Sequence, residues 1–97
     1  MTDSARQAIL DAARAYFDAR GERKFVPGKT YIASSGKVLD AADLVNLVDA
    51  SLDMWLTAGR FTETFQSRLA AKFGLRYASL TVSGSAANIL AISPFSR

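Results

Sequence analysis

Histidine and cysteine are both absent from this chain of 97 residues. Without them it has no Cys/His zinc site, no iron–sulfur ligands and no disulfide framework. Ser-His and Cys-His catalysis from its own side chains is excluded as well. Carboxylates, lysines, tyrosines and hydroxyls are the catalytic groups left. Proline and glycine are scarce, at two and six positions. No apolar run reaches the roughly 18 residues of a membrane span. Met1-Thr2-Asp3-Ser4 lacks the positive start and apolar stretch of a signal peptide, so the expected compartment is the cytoplasm. What remains is 49% hydrophobic and 22% charged, too apolar for disorder and enough for one small domain with a modest core.

The net charge of +3 is uneven. Residues 1–53 hold seven basic and eight acidic side chains, a sum of −1. Residues 54–97 set Arg60, Arg68, Lys72, Arg76 and Arg97 against Glu63 alone, a sum of +4. A basic C-terminal half suits an anionic partner, either nucleic acid or a phosphorylated small molecule; it also suits a solvated charged face.

Ala5, Ala8, Ile9, Ala12, Ala13 and Tyr16 recur at helical spacing, with Ser4 and Gln7 as a capping box and Gly21 as the stop. The alanine-rich face predicts a closely packed peripheral helix. Residues 22–39 read as irregular, with turns at Pro27-Gly28 and Ser34-Ser35-Gly36. Lys24, Lys29 and Lys37 in this loop could meet a phosphate, though a solvated connection is the favoured reading. A second helix is predicted from Asp40, its cap, to Leu56, with Leu44, Val45, Leu47, Val48, Leu52 and Trp55 on its apolar face. A third is predicted from Thr62 as cap to Gly74 as stop, with Phe65, Leu69 and Phe73 as core. The two helices are expected to pack around Trp55, Phe65, Leu69 and Phe73.

Tyr77-Ala78-Ser79-Leu80-Thr81-Val82 reads as a short, uncharged, interior strand. Ser83-Gly84-Ser85-Ala86-Ala87-Asn88 then turns into a helix that Pro94 stops. No second convincing strand exists to pair with the first. The pattern is that of an α/β domain cut as its sheet begins, a piece that is itself mostly α. The strand edge is expected to be unpaired, or paired with an improvised partner, and to favour aggregation. The Ser-Gly-Ser turn at a helix N-terminus can bind a phosphate through free N–H groups, hydroxyls and the dipole, or can be an ordinary capped turn. It matches neither the P-loop nor the dinucleotide fingerprint.

Three blocks in order carry a resemblance. They are Ser35-Gly36-Lys37-Val38, then Ala50-Ser51-Leu52-Asp53 leading into Trp55-Leu56-Thr57-Ala58-Gly59-Arg60-Phe61 and Phe65, then Thr81 to Asn88. Over about residues 25–92 the chain resembles the DegT/StrS-type sugar aminotransferase family, which has the fold-type I architecture of pyridoxal-phosphate enzymes. Its wording is nearest the CDP-4-dehydro-6-deoxyglucose 3-dehydrase branch. The resemblance implies N-terminal helices and the first strand-turn-helix of the large domain, with residues 1–39 as an N-terminal helix and extended segment and 40–97 as the start of that domain. It implies that Gly84, Ser85 and Ala86 hold the cofactor phosphate, with the N–H groups of Ser85 and Ala86 as donors. Trp55, Thr57, Gly59 and Arg60 are implied to shape the sugar-nucleotide site. Trp55 could equally be plain core, and Arg60 a surface ion pair.

The branch implies pyridoxamine 5′-phosphate, or pyridoxal 5′-phosphate in a true aminotransferase relative. It also implies a [2Fe–2S] cluster, a homodimer, a reductase partner, and removal of the C3 hydroxyl of a CDP-linked 4-keto-6-deoxyhexose. The catalytic histidine, cluster cysteines and pyridine-pairing aspartate match positions beyond Arg97. The chain is therefore expected to be an N-terminal fragment of a deoxysugar enzyme of lipopolysaccharide biosynthesis, inactive alone. Two other readings stand beside it: a small basic helical binding module, disfavoured for nucleic acid because its arginines lie on different faces, and a fragment that dimerises with a full-length relative.

Overall fold

The computed structural model of the chain describes residues 2–95. Four α-helices follow one another: α1 (Thr2–Ala19), α2 (Ala41–Leu52), α3 (Arg60–Lys72) and α4 (Gly84–Ile92), with a 3-10 turn at Ser93–Phe95. They form two compact units, one up to Leu56 and one from Thr57 on. Ser96 and Arg97, part of the expected chain end, lie outside the described residues, as does Met1.

In the first unit, α1 packs on α2. The inward stripe of α1 is Arg6, Leu10, Ala13 and Phe17, each half-buried. The helical period is as predicted, but the phase is not. Ala5, Ala8 and Ala12 are exposed, and Ile9 and Tyr16 are 45% and 68% exposed. The larger Leu10 and Phe17 remove more apolar area from water than an alanine face can, so they turn inward. The helix begins at Thr2, which puts Ser4 inside it, and Gln7 donates forward to Asp11 Oδ1 at 2.8 Å. Between the helices, Val26-Pro27-Gly28-Lys29 is a tight turn, with Gly28 at φ 77 and the Lys29 N–H donating to the Val26 carbonyl at 3.1 Å. Proline fixes the second position of such a turn, and glycine takes the left-handed third without steric cost.

Asp40 caps α2 as predicted. Its carboxylate accepts the Asp43 N–H at 3.0 Å, and the Asp43 carboxylate accepts the Asp40 N–H at 2.8 Å. The helix stops at Leu52, short of the predicted Leu56. Asp53 is its C-cap, and Met54 adopts φ 54, which turns the backbone out of the helix. Trp55 therefore lies beyond α2 and is 66% exposed.

In the second unit α3 starts at Arg60 with Gly59 as its cap, three residues before the predicted cap Thr62. Gly59 is extended, and its carbonyl already accepts the Glu63 N–H at 3.1 Å, so Thr62 sits inside the first turn. The C-terminus matches expectation. Gly74 at φ 64 donates to the Ala71 carbonyl at 3.1 Å and Leu75 donates to the Ala70 carbonyl at 2.8 Å, a Schellman closure. Pro94 does not end α4 abruptly; the chain tightens into a 3-10 turn in which the Ser93 hydroxyl donates to the Ile89 carbonyl at 2.7 Å.

The expected strand is not formed: no strand occurs among the described residues, and 77–82 is irregular. A strand is defined by ladder bonds to a neighbour, and none is available. One substitute exists, in which the Leu80 N–H donates to Gln66 Oε1 of α3 at 2.9 Å. The expected core around Trp55, Phe65, Leu69 and Phe73 is not formed either. The partner of α2 is α1, while Phe65 and Phe73 are 49% and 65% exposed.

Ala70 alone among the described residues is fully buried as part of an apolar core. Much of the exposed surface is apolar. From Tyr77 to Phe95 no charged residue occurs, and Tyr77, Leu80, Val82, Ile89, Leu90, Ile92 and Phe95 are all exposed. A helix without a polar face, such as α4, belongs in an interior.

Candidate functional site

The α4 N-terminus is built by Ser83. Its backbone is extended, its hydroxyl accepts the Ala86 N–H at 3.1 Å, and its carbonyl accepts the Ala87 N–H at 3.0 Å. The same carbonyl also accepts the Thr81 hydroxyl at 2.9 Å. Ser83 is thus fastened by both flanks, and the turn keeps one shape.

Gly84 and Ser85 occupy the first two helical positions, ahead of the first intrahelical hydrogen bond, so neither N–H has a partner along the helix. A Cβ built on Gly84 would meet no atom within 4 Å, which leaves the approach to the turn open. A phosphate fits this arrangement of two outward N–H donors, a Ser85 hydroxyl and the positive end of the dipole. No lysine or arginine lies between residues 77 and 95, so the turn supplies hydrogen bonds and a partial charge but no full cation. Of the expected donors, Ser85 N–H has no helical partner, while Ala86 N–H is engaged by the Ser83 cap. The Gly84 N–H, like that of Ser85, has no partner along the helix.

The other predicted site residues divide between the units. Trp55 ends the first. Thr57, Gly59 and Arg60 open the second, with Gly59 capping α3 by its backbone alone. The Arg60 guanidinium lies 4.3 Å from the centre of the Phe61 ring, a cation–π stack that holds the side chain on the surface of α3. An open cleft of about 410 Å³ runs along α3, lined by Glu63, Gln66, Ser67, Ala70, Arg76 and Tyr77; it contains none of the predicted site residues.

One polar constellation escaped the sequence reading. Arg6 reaches from α1 to Asp49 and Asp53 of α2, with ion pairs of 2.6 Å to each. Its hydrogen bonds to Asp53, and then to Asp49, raise the Arg6 pKa above its ordinary value. The signal was present in the spacing: two aspartates four residues apart at a helix C-terminus oppose both each other and the dipole, and so call for a cation.

No helix among the described residues is long and apolar enough to cross a membrane. No family model matches the chain, and no solved structure matches it. Among curated proteins it is 44% identical over 93 residues to a protein of Saccharopolyspora spinosa named dTDP-4-dehydro-2,6-dideoxy-D-glucose 3-dehydratase. That match covers 96% of this chain and 20% of the relative. It is also 42% identical over 76 residues to the lipopolysaccharide biosynthesis protein RfbH of Salmonella typhimurium, covering 78% of this chain and 17% of the relative. The chain spans about a fifth of the length of these curated relatives, and its likeness is to enzymes of deoxysugar and lipopolysaccharide biosynthesis.

Proposed function

We propose that this chain is a segment of a sugar-nucleotide 3-dehydratase of the DegT/StrS type, and that its Ser83–Ala86 turn holds the phosphate of pyridoxamine or pyridoxal 5′-phosphate. The observation that carries the reading is the open α4 N-terminus, with Gly84 and Ser85 donors unused by the helix and space above Gly84. Similarity to the two biosynthetic relatives supports it. When bound, the cofactor supplies an amine and an electron sink for C3–O cleavage next to a ketone. The residues of this chain bind and orient. Gly84 and Ser85 would fix the phosphate, and the Ser83 cap would keep their N–H groups aligned before it arrives.

Trp55, Thr57, Gly59 and Arg60 are proposed for the sugar-nucleotide side, where a guanidinium suits a diphosphate. The substrate class is a nucleotide-linked 4-keto-deoxyhexose. The CDP form follows from the resemblance, while the name of the Saccharopolyspora relative specifies dTDP. The [2Fe–2S] cluster, a dimeric state, a reductase partner and a cytoplasmic setting belong to the proposal for the whole enzyme, since this chain has no cysteine to ligate iron.

The test is an amide-resolved NMR titration of this chain with pyridoxamine 5′-phosphate and, separately, with pyridoxamine. Shifts at the Gly84 and Ser85 amides with the phosphorylated form only are expected, and Gly84→Val should remove them. Equal response to both forms, or none at millimolar ligand, overturns the reading.

A further inference from the structure

Three acceptor oxygens converge on one guanidinium in the first unit. Arg6 Nε donates to Asp49 Oδ1, and Arg6 Nη2 donates to the Asp49 carbonyl and to Asp53 Oδ1, each at 2.6 Å. Asp49 and Asp53 occupy one face at the C-terminal end of α2, and no basic residue lies in the last turn of that helix. Their repulsion, and the negative end of the dipole, are both offset by a side chain 43 and 47 positions earlier. The planar fork of arginine serves two carboxylates at once in a fixed geometry, which the rotatable ammonium of a lysine does not impose.

The second observation lies one residue further on. Among the described residues, Met54 is the only non-glycine at positive φ, at 54°. That region is costly for a residue with a Cβ. The Met54 side chain is 81% exposed, so packing does not hold it there. A strained backbone persists only where its flanks over-determine it. The preceding flank is Asp53, fixed by Arg6 through its carboxylate and by the Ala50 carbonyl through its N–H at 3.2 Å. The Met54 N–H donates to the Ser51 carbonyl at 3.1 Å. Trp55 comes next.

We propose that Arg6 is a positioning residue: through Asp53 it holds the left-handed turn at Met54 and so sets the direction in which Trp55 leaves α2. The consequence for substrate rests on the reading of Trp55 as a sugar-nucleotide contact. The positioning itself does not. Asp49 anchors α1 to α2 from within the helix, whereas Asp53 anchors the exit.

Trp55 is the one tryptophan of the chain, so its fluorescence reports on this turn without a label. Asp49→Asn and Asp53→Asn each take one charge from the same guanidinium. Trp55 anisotropy and acrylamide quenching are measured for both, beside far-UV circular dichroism and the urea midpoint. Asp53→Asn is expected to lower the anisotropy and raise the quenching constant, and Asp49→Asn to shift only the midpoint. Where Asp53→Asn loses helix, the double variant with Met54→Gly decides: glycine takes φ 54 unstrained, and Trp55 should return to its wild-type anisotropy. Equal Trp55 changes in both aspartate variants, no change in Asp53→Asn, or no recovery with Met54→Gly overturns the proposal. The titration at Gly84 and Ser85 reads the second unit, so a failure there is separate from a failure here.

Discussion

The two units solve the same problem differently. In the first, α1 and α2 are joined by bonds that span 43 and 47 positions and end on partly buried carboxylates. In the second, the sequence-distant side-chain link is Gln66 to Leu80, 14 positions apart and exposed. The first unit carries seven basic and eight acidic residues in near balance, while the stretch from Tyr77 to Phe95 carries none. Charge tells a helix which face belongs to water. Where charge is present, α1 and α2 each have an outside and an inside. Where it is missing, α4 has two apolar sides and nothing among the described residues to cover them. The difference teaches that helical content is not evidence of a finished core: α3 is closed at its C-terminus and α4 is capped by Ser83, and yet Ala70 is the one buried apolar residue among those described.

The contrast can be broken most sharply at Ala13, which faces α2 from the middle of α1. Ala13→Pro removes a helical hydrogen bond and should cost about 3 kcal/mol. Loss of α1 and α2 protection in amide exchange is expected, with α3 amides unchanged; loss of all four helices together would show that the units are not separate. A smaller change sets like against like. Asp40→Ala and Ser83→Ala each remove an N-cap worth about 1 kcal/mol. In the packed α2 the loss should lower the urea midpoint of the first unit. In the uncovered α4 it should appear as local fraying and faster exchange at Ala86, with no change in that midpoint.

Gln66→Ala should be smaller again, at about 0.5–1 kcal/mol for one exposed hydrogen bond. Faster exchange at the Leu80 amide, with the α3 amides unaffected, is the expected outcome. Smallest of all is the effect of neutral pH on the Arg6 clasp. Its folded pKa is raised by Asp53 and Asp49, so its contribution is complete below the ordinary arginine value and is lost only as pH climbs through the raised one, in strong alkali. The difference in urea midpoint between wild type and Arg6→Gln should therefore stay constant from neutral to mildly alkaline pH.

Much of the local structure was legible. Asp40 as a cap, Gly21 and Gly74 as stops, the Pro27-Gly28 turn and the Ser83 turn all follow from rules in which a residue and its partner lie within a few positions. The helices α1 and α3 begin at Thr2 and Arg60, each three residues ahead of the start that a cap at Ser4 or Thr62 predicts, and Gly59 caps α3 through its backbone alone. The phase of α1 differs because counting apolar positions favours four alanines with Ile9 and Tyr16 over Leu10 and Phe17, whose larger area decides. At the candidate site the capped turn was legible, whereas the bond from the Ala86 N–H to the Ser83 hydroxyl was not read from the sequence.

By itself the sequence determined which segments are helical, where α2 begins and α3 stops, and that a capped turn at Ser83 precedes α4. These depend on dihedral preference, capping and N–H groups left over at helix ends, which are properties of short stretches. Tertiary structure alone decided that α2 stops at Leu52, that Trp55 lies outside it, that Arg6 faces α2, and that 77–82 is not a strand. Each of those outcomes depends on a group far along the chain being present or missing: a guanidinium for two carboxylates, or a neighbouring backbone for an extended segment. Hydrogen-bond and charge partners at that distance are fixed by folding, not by local order.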